Sequence, residues 1–357
     1  MPFFWVFMLA ILISSCQSEK KSPSNSEATA LTTNVEDTRL RDAPGENAKV
    51  VLALPKGTPL FDLGEVSDFT IKIKLRGIEF DEPWLKVRTP DGTAGWVYGG
   101  ALNFTMQDES KLANLLMQKR LLSLFGIQLA DKISAYRKHF QSVRSAADFA
   151  NVYREGIALR DTLVALMGDK IAVSDPNELP DLFWLEQAMP GFVPQLVAEG
   201  TAYYLFWNYK VLIGKVKETS DTPDDDFINL AIQIFPEDSV EYFYPAWVLQ
   251  TWDYGGSSLL GRGVHDQLLQ KMDEMLQKSD LFAEEIRQWK RLLVNDITHQ
   301  DVSYWEKQEK IEAELDTILV RNYPILTAAD KVALQTRRKQ FENPVENHIS
   351  VNQQAGN

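Results

Sequence analysis

Apolar and polar positions follow several different rhythms along the chain. An unbroken apolar run covers Phe3 to Ile13. Residues 17–34 are polar and Ser-rich, with no period, and cannot bury enough apolar surface to offset the entropy of ordering. Between 35 and 104 short apolar runs alternate with polar positions and are cut by turn signals, Asp42-Ala43-Pro44-Gly45, Lys56-Gly57, Asp91-Gly92 and Gly99-Gly100. Val50–Leu54, Thr70–Leu75, Trp84–Arg88 and Gly95–Tyr98 are predicted strands, and their number and spacing predict a small all-β barrel. From 105 onward the apolar spacing becomes helical. Leu112, Leu115, Leu116, Leu122 and Leu124 form one stripe. Ser145-Ala146-Ala147-Asp148 and Thr327-Ala328-Ala329-Asp330 are capping boxes. The aromatic stretch Val193–Val216 is assigned to a helix, and further helices are expected over 224–235, 238–252, 263–278, 280–298, 302–321 and 327–341. No strand is predicted after 104. No fixed period supports a helical repeat, so the expectation is an irregular all-α bundle over 105–342, followed by a polar, frayed tail over 343–357.

The apolar run at the start matches a secretory core in length and is too short to cross a membrane. It ends in Ile13-Ser14-Ser15-Cys16, which resembles a bacterial lipobox. The resemblance implies a signal peptide over 1–16 and acylation of Cys16, palmitate included. Residues 17–34 would then be a flexible linker to a tethered, non-spanning protein. Gln17 stands where some inner-membrane lipoproteins carry aspartate, so the expected address is the outer membrane of the cell envelope. Cys16 is the single cysteine, and its assignment to lipidation leaves no thiol for catalysis or disulfides.

Four motifs in order resemble the bacterial SH3-like (SH3b) family: Leu40-Arg41-Asp42-Ala43-Pro44-Gly45, Leu54-Pro55-Lys56-Gly57-Thr58, Trp84-Leu85-Lys86-Val87 and Asp91-Gly92-Thr93-Ala94-Gly95-Trp96-Val97. The stretch from Gly64 to Pro83 is longer than the family needs, which predicts an enlarged hairpin or loop. Gly45, Gly57, Gly92 and Gly95 suit turns that need positive φ. The resemblance implies binding to peptidoglycan, to a peptide stem or to an envelope protein. Trp84, Trp96 and Tyr98 are the candidate ligand contacts, although for both tryptophans packing in the barrel core is the favoured reading.

Charge and composition narrow the partners. The net charge is −13, and most of the acidic excess lies after residue 104. This argues against nucleic acid or an anionic lipid surface. A hydrophobic fraction of 45%, with 9 Trp and 18 Phe, is enough for real cores in a chain of 357 residues.

No motif names a reaction. His139, His265, His299 and His348 lack metal-ligand spacing, and no cofactor or metal is expected. The run Ser220–Asp226 lacks the order of a calcium loop and is read as a solvated loop that N-caps the next helix. The glycine cluster 253–263 fails the phosphate-loop and hydrolase-elbow patterns, and a triad of Asp253, Ser257 or Ser258, and His265 has only composition in its favour. Aromatics at 203–209 and at Tyr242, Phe243, Tyr244, Trp247 and Trp252 either pack a core or line a groove. Two readings result. In the first, the chain is a non-enzymatic envelope lipoprotein with a binding barrel and a helical interaction module. In the second it is an envelope hydrolase with Glu241, Asp253, Arg262 and His265 converging.

Overall fold

The computed structural model describes residues 30–104, 111–171, 179–197, 200–237, 244–250 and 255–355. Cys16, and all of the linker before Ala30, lie outside them. The described chain divides into two compact units. One holds the N-terminal strands up to Phe69 together with Pro83–Leu115; the other holds Thr70–Glu82 and everything from Leu116.

The strands β1 (Ala30–Thr33), β2 (Thr38–Arg41), β3 (Val50–Leu54), β4 (Pro59–Leu75), β5 (Ile78–Arg88), β6 (Ala94–Tyr98) and β7 (Leu102–Phe104) form one sheet. Their spatial order is β3-β2-β6-β5-β4-β1-β7. Strand β1 starts inside the stretch read as linker, where Leu31 is fully buried and pairs with Phe104. The expected closed barrel is not formed: the sheet ends on β3 and β7, with no ladder joining them among the described residues. The seam between β2 and β6 is a single partner pair, Arg41 with Trp96, and β2 carries a register shift between Leu40 and Arg41. Such an irregularity bends the strand and interrupts pairing.

The enlarged middle is a long hairpin, β4 to β5, turning at Arg76 and Gly77, which both have positive φ. A two-residue turn of this hand matches strand twist. Gly45, Gly57 and Gly92 also have positive φ, as their turns require, but Gly95 does not. Gly95 is needed for space. A Cβ there would sit 2.7 Å from the Arg41 carbonyl oxygen and from Leu40 Cγ. The Asp91 carboxylate holds the turn before it, accepting from the Thr93 amide at 3.1 Å and from the Thr89 hydroxyl.

The second unit is mainly helical. Helix α1 (Lys111–Ser142) is two helical segments joined at Gly126, where φ is +74°. Leu112, Leu116 and Leu124 of the predicted stripe are buried, while Leu115 and Leu122 are exposed. Helix α2 (Ala146–Lys170) starts at a complete capping box on Ser145 and Asp148. After α3 (Phe183–Ala188) the chain makes a hairpin, β8 (Phe192–Val197) and β9 (Ala202–Trp207), and only then α4 (Tyr209–Val216). The helix expected over 193–216 is therefore two strands followed by a helix only from Tyr209 onward. Tyr203-Tyr204-Leu205-Phe206-Trp207 favours extended backbone, and Pro194 is tolerated because a two-stranded sheet has only edges.

The run read as a solvated loop instead opens α5 (Pro223–Ile234), with Pro223 in its first turn and three aspartates beside its N-terminus, and Asp224 is fully buried, where its carboxylate accepts from the Thr219 hydroxyl at 2.9 Å. That placement is favourable to the helix dipole. A second small sheet, β10 (Val248–Gln250) with β11 (Gly256–Ser258), replaces the end of the helix expected over 238–252; residues 238–243 lie outside the described set. Four helices follow: α6 (Val264–Lys278), α7 (Ala283–Thr298), α8 (Gln308–Arg321) and α9 (Ala328–Gln340), the last with the Thr327–Asp330 capping box. The "all-α" expectation is thus corrected by two hairpin-like sheets.

The tail is not frayed where it is described. Ser350 pairs with Ser303, the Tyr304 amide donates to the Ser350 carbonyl at 2.8 Å, and Ile349 is buried. The core of this unit is strongly aromatic. Phe227 stacks on Phe282 at 3.9 Å and on Trp289 at 5.0 Å, and Phe149 meets Phe282 edge-on. None of the described helices is long and apolar enough to cross a membrane.

Candidate functional site

Trp84 and Tyr98 face each other as cross-strand partners on β5 and β6, with ring centroids 5.8 Å apart. Both are buried, and the Arg41 guanidinium covers the Trp84 ring. By strand alternation they lie on the sheet face opposite Leu85, Val87 and Val97, which are also buried. Trp96 is placed differently. It is half-buried and pairs across the strands with Lys86, whose ammonium lies 5.9 Å from the ring centroid. Lys86 also meets Glu65 at 2.7 Å.

A second cation–ring pair lies on neighbouring strands, Arg88 over Phe61, with Phe61 42% and Leu63 38% exposed. Strands β4, β5 and β6 therefore carry rings, cations and a carboxylate that solvent reaches. Such pairs give a surface apolar contact area with charges at its edge. The outer strand β3 adds Val50, Val51 and Leu52, all exposed. Sequence reasoning singled out Trp96 but missed Phe61, Lys86 and Arg88, because only strand pairing brings them together.

The region read as a possible catalytic centre is built otherwise. Glu241, Asp253, Tyr242, Phe243 and Trp252 lie outside the described residues. Trp247 is fully buried. His265, also fully buried, meets Asp296 through Nε2 at 2.8 Å. Ser258 donates to the same carboxylate oxygen at 2.6 Å, while Ser257 pairs with Ser303 at 3.1 Å. Asp296 thus stands between the serine and the histidine. A nucleophilic triad needs the imidazole in that middle place, to take the hydroxyl proton.

Arg262 does not converge on His265. It turns to Glu306 at 2.8 Å, and Lys310 meets the other oxygen of Glu306 at 2.9 Å. Hydrogen bonds from Lys310 and Arg262 hold the Glu306 carboxyl below its usual range. Glu314 of α8 accepts the amides of Gly261 and Gly263 at 2.5 and 2.8 Å through one oxygen. Its other oxygen accepts from the Asp266 amide at 3.1 Å. Gly263, with φ of +80°, has no side chain to cap α6, so a carboxylate from a distant helix does it. The cluster around 256–265 is tied into scaffold at each of these groups. Among the described residues no three His, Cys, Asp or Glu side chains are placed to hold a metal.

The aromatic stretch 203–209 does meet open space. Tyr204, Phe206, Trp207 and Tyr209 border a cavity within the second unit.

The sheet, its turn glycines and its tryptophan-bearing strands define a small SH3-type module. Residues 36–103 match the family model of the bacterial SH3 domain, so this segment is a bacterial SH3 domain. No curated protein and no solved structure matches the chain.

Proposed function

We propose that the chain is a lipid-anchored protein of the bacterial cell envelope. In this reading the SH3 domain binds cell wall or a protein partner, and the helical unit is a non-catalytic interaction module. The observation that carries it is the solvent-reached row of Trp96, Lys86 and Glu65 beside Phe61 and Arg88, on a domain of a family whose role is binding. Mixed charges around two rings suit a peptide stem that carries both apolar and ionised groups. The lipobox-like tetrad ending at Cys16 supports the anchor and the envelope address, with the outer membrane favoured by Gln17. The alternative, a hydrolase centred on 241–265, draws no support from Ser258, Arg262 and His265, each of which is engaged by a scaffold carboxylate.

Wall binding is tested with the chain from Gln17 onward mixed with purified sacculi. The protein is expected in the pellet, with Trp96→Ala weakening retention roughly tenfold, the size of a truncated aromatic hot spot. A supernatant holding all of the unaltered protein would remove wall binding and leave the protein partner. The anchor is tested by metabolic labelling with palmitate. The chain takes up label and Cys16→Ser does not; label that persists in Cys16→Ser would sink the assignment.

A further inference from the structure

Strand β3 ends the SH3 sheet. It pairs with β2 on one side and with no strand on the other among the described residues. Every residue from Val50 to Ala53 is exposed, with Val50 at 41%, Val51 at 46% and Leu52 at 38%. The register explains the loss of alternation. Arg41 faces Val50 and Leu40 faces Leu52, so Val51 is an extra residue. The opposite end of the sheet is covered, since Leu102 and Phe104 of β7 are buried. An open edge commonly carries a lysine, a proline or an inward charge that stops a second strand from adding to it. The segment Val50–Leu54 carries none of these.

The charge around this edge selects the partner. The chain has a net charge of −13, so two copies repel over most of their surfaces. Residues 36–56 are an exception, with four Asp or Glu against four Lys or Arg. The signs are also placed in order. The turn entering β3 carries the exposed Glu46, and the turn leaving it carries the exposed Lys56. Neither side chain has an ion pair among the described residues. The nearby carboxylates of Asp42 and Glu36 accept instead from the amides of Lys49 and Lys56, both at 3.1 Å. A strand that adds antiparallel to its own copy reverses direction. The Glu46 end of each copy then meets the Lys56 end of the other, whereas a parallel pair would set like charges side by side.

We propose that β3 is a self-association edge, through which two copies of the chain pair antiparallel across a two-fold axis. Val50, Val51 and Leu52 of both copies are covered, and Glu46 of each copy lies beside Lys56 of the other. The dimer does not rest on the binding role given to the surface around Trp96. A bulged strand of five residues buries less than the roughly 1,200 Å2 of a stable interface, so association is weak, with a dissociation constant of about 10–500 µM.

The test is sedimentation equilibrium of the chain from Gln17 onward, which keeps every described residue, at concentrations from about 5 to 500 µM. A monomer–dimer equilibrium is expected, and Val51→Lys should leave monomer alone. Glu46→Lys and Lys56→Glu should each weaken the dimer about fivefold, because each dimer then holds two like-charge contacts. Mixing these two variants should restore association, since every contact in the mixed pair joins opposite signs. All three positions are exposed, so thermal melts that match the unaltered chain would show that the fold is kept. Hydrogen exchange at β3 should slow as concentration rises. Monomer at every concentration, a dimer that Val51→Lys leaves intact, or charge variants that stay weak when mixed would each overturn the proposal. No sacculi are present, so this outcome and that of the retention assay are independent.

Discussion

Replacing Arg120 with methionine is expected to cost about 3–5 kcal/mol, the range for breaking a buried ion pair by removing one member. Arg120 on α1 and Glu82 on β5 are both inaccessible to solvent, and they meet at 2.6 Å through Nε and 3.4 Å through Nη2. The Arg120 guanidinium also covers Phe80 at 5.3 Å. Burial raises the Glu82 carboxyl above its usual range and outweighs the attraction of Arg120 that lowers it. Without Arg120 that rise becomes larger.

The sign of the pH dependence follows from this. A carboxyl whose folded-state pKa is raised binds its proton more tightly in the native state. The variant therefore keeps more of its stability at acidic pH and loses it as pH rises through the folded-state value. Urea unfolding of Arg120→Met beside the unaltered chain should show a deficit at neutral pH that narrows on acidification. The double variant Glu82→Leu with Arg120→Met should recover most of the loss, because a buried ion pair exchanged for apolar side chains is often close to neutral. A deficit under about 1 kcal/mol, or one that widens on acidification, would mean that Glu82 is not the group left exposed to the penalty.

The pair also shows why parts of this fold are legible in sequence and others are not. Signals confined to a few neighbouring residues are realised. The Ser145–Asp148 and Thr327–Asp330 boxes both start helices, and the SH3 turns form where Gly45, Gly57 and Gly92 place positive φ. Leu268, Leu269, Met272 and Met275 of α6 bury one face of an amphipathic helix, as their spacing implies. Gly95 was legible as an important glycine but not for its reason. The clash that requires it comes from β2, far away in sequence.

The aromatic segment before Trp207 carries no alternation of polar and apolar positions, so period alone does not separate helix from strand there. Length and strand propensity decide it, and Gly200 turns the hairpin at φ of +84°. Candidate sites behave the same way. Trp96 is visible from its motif. Its cation partner and the Asp296 carboxylate under His265 depend on pairing and packing across long separations. His265 and Ser258 stood out in sequence beside a glycine cluster, yet the carboxylate that joins them arrives from α7.

Glu314 is the clearest case of such a remote determinant, and its loss is expected to rival that of Arg120. The residue is buried on α8, and its two oxygens accept three backbone amides at the start of α6. Gly261 cannot be replaced by a residue that brings its own acceptor. Its φ is +102°, and a Cβ would lie 3.0 Å from the Ile311 amide nitrogen. The carboxylate also lies at the positive end of the α6 dipole, where a negative charge is favourable. Glu314→Ala would leave these donors in a confined space without an acceptor, at about 1–3 kcal/mol for each group that water cannot reach. A total loss of about 3–5 kcal/mol is expected. Glu314→Gln separates the two contributions. It keeps one acceptor oxygen, removes the charge and turns an NH2 group toward amide donors, so it should fall between the unaltered chain and Glu314→Ala. Hydrogen exchange at the amides of Gly261, Gly263 and Asp266 locates the effect. Protection lost at these three positions, with the Glu82–Arg120 region unchanged, is the expected pattern. Alanine tolerated at 314 with their protection intact would show that the start of α6 draws its acceptors from elsewhere.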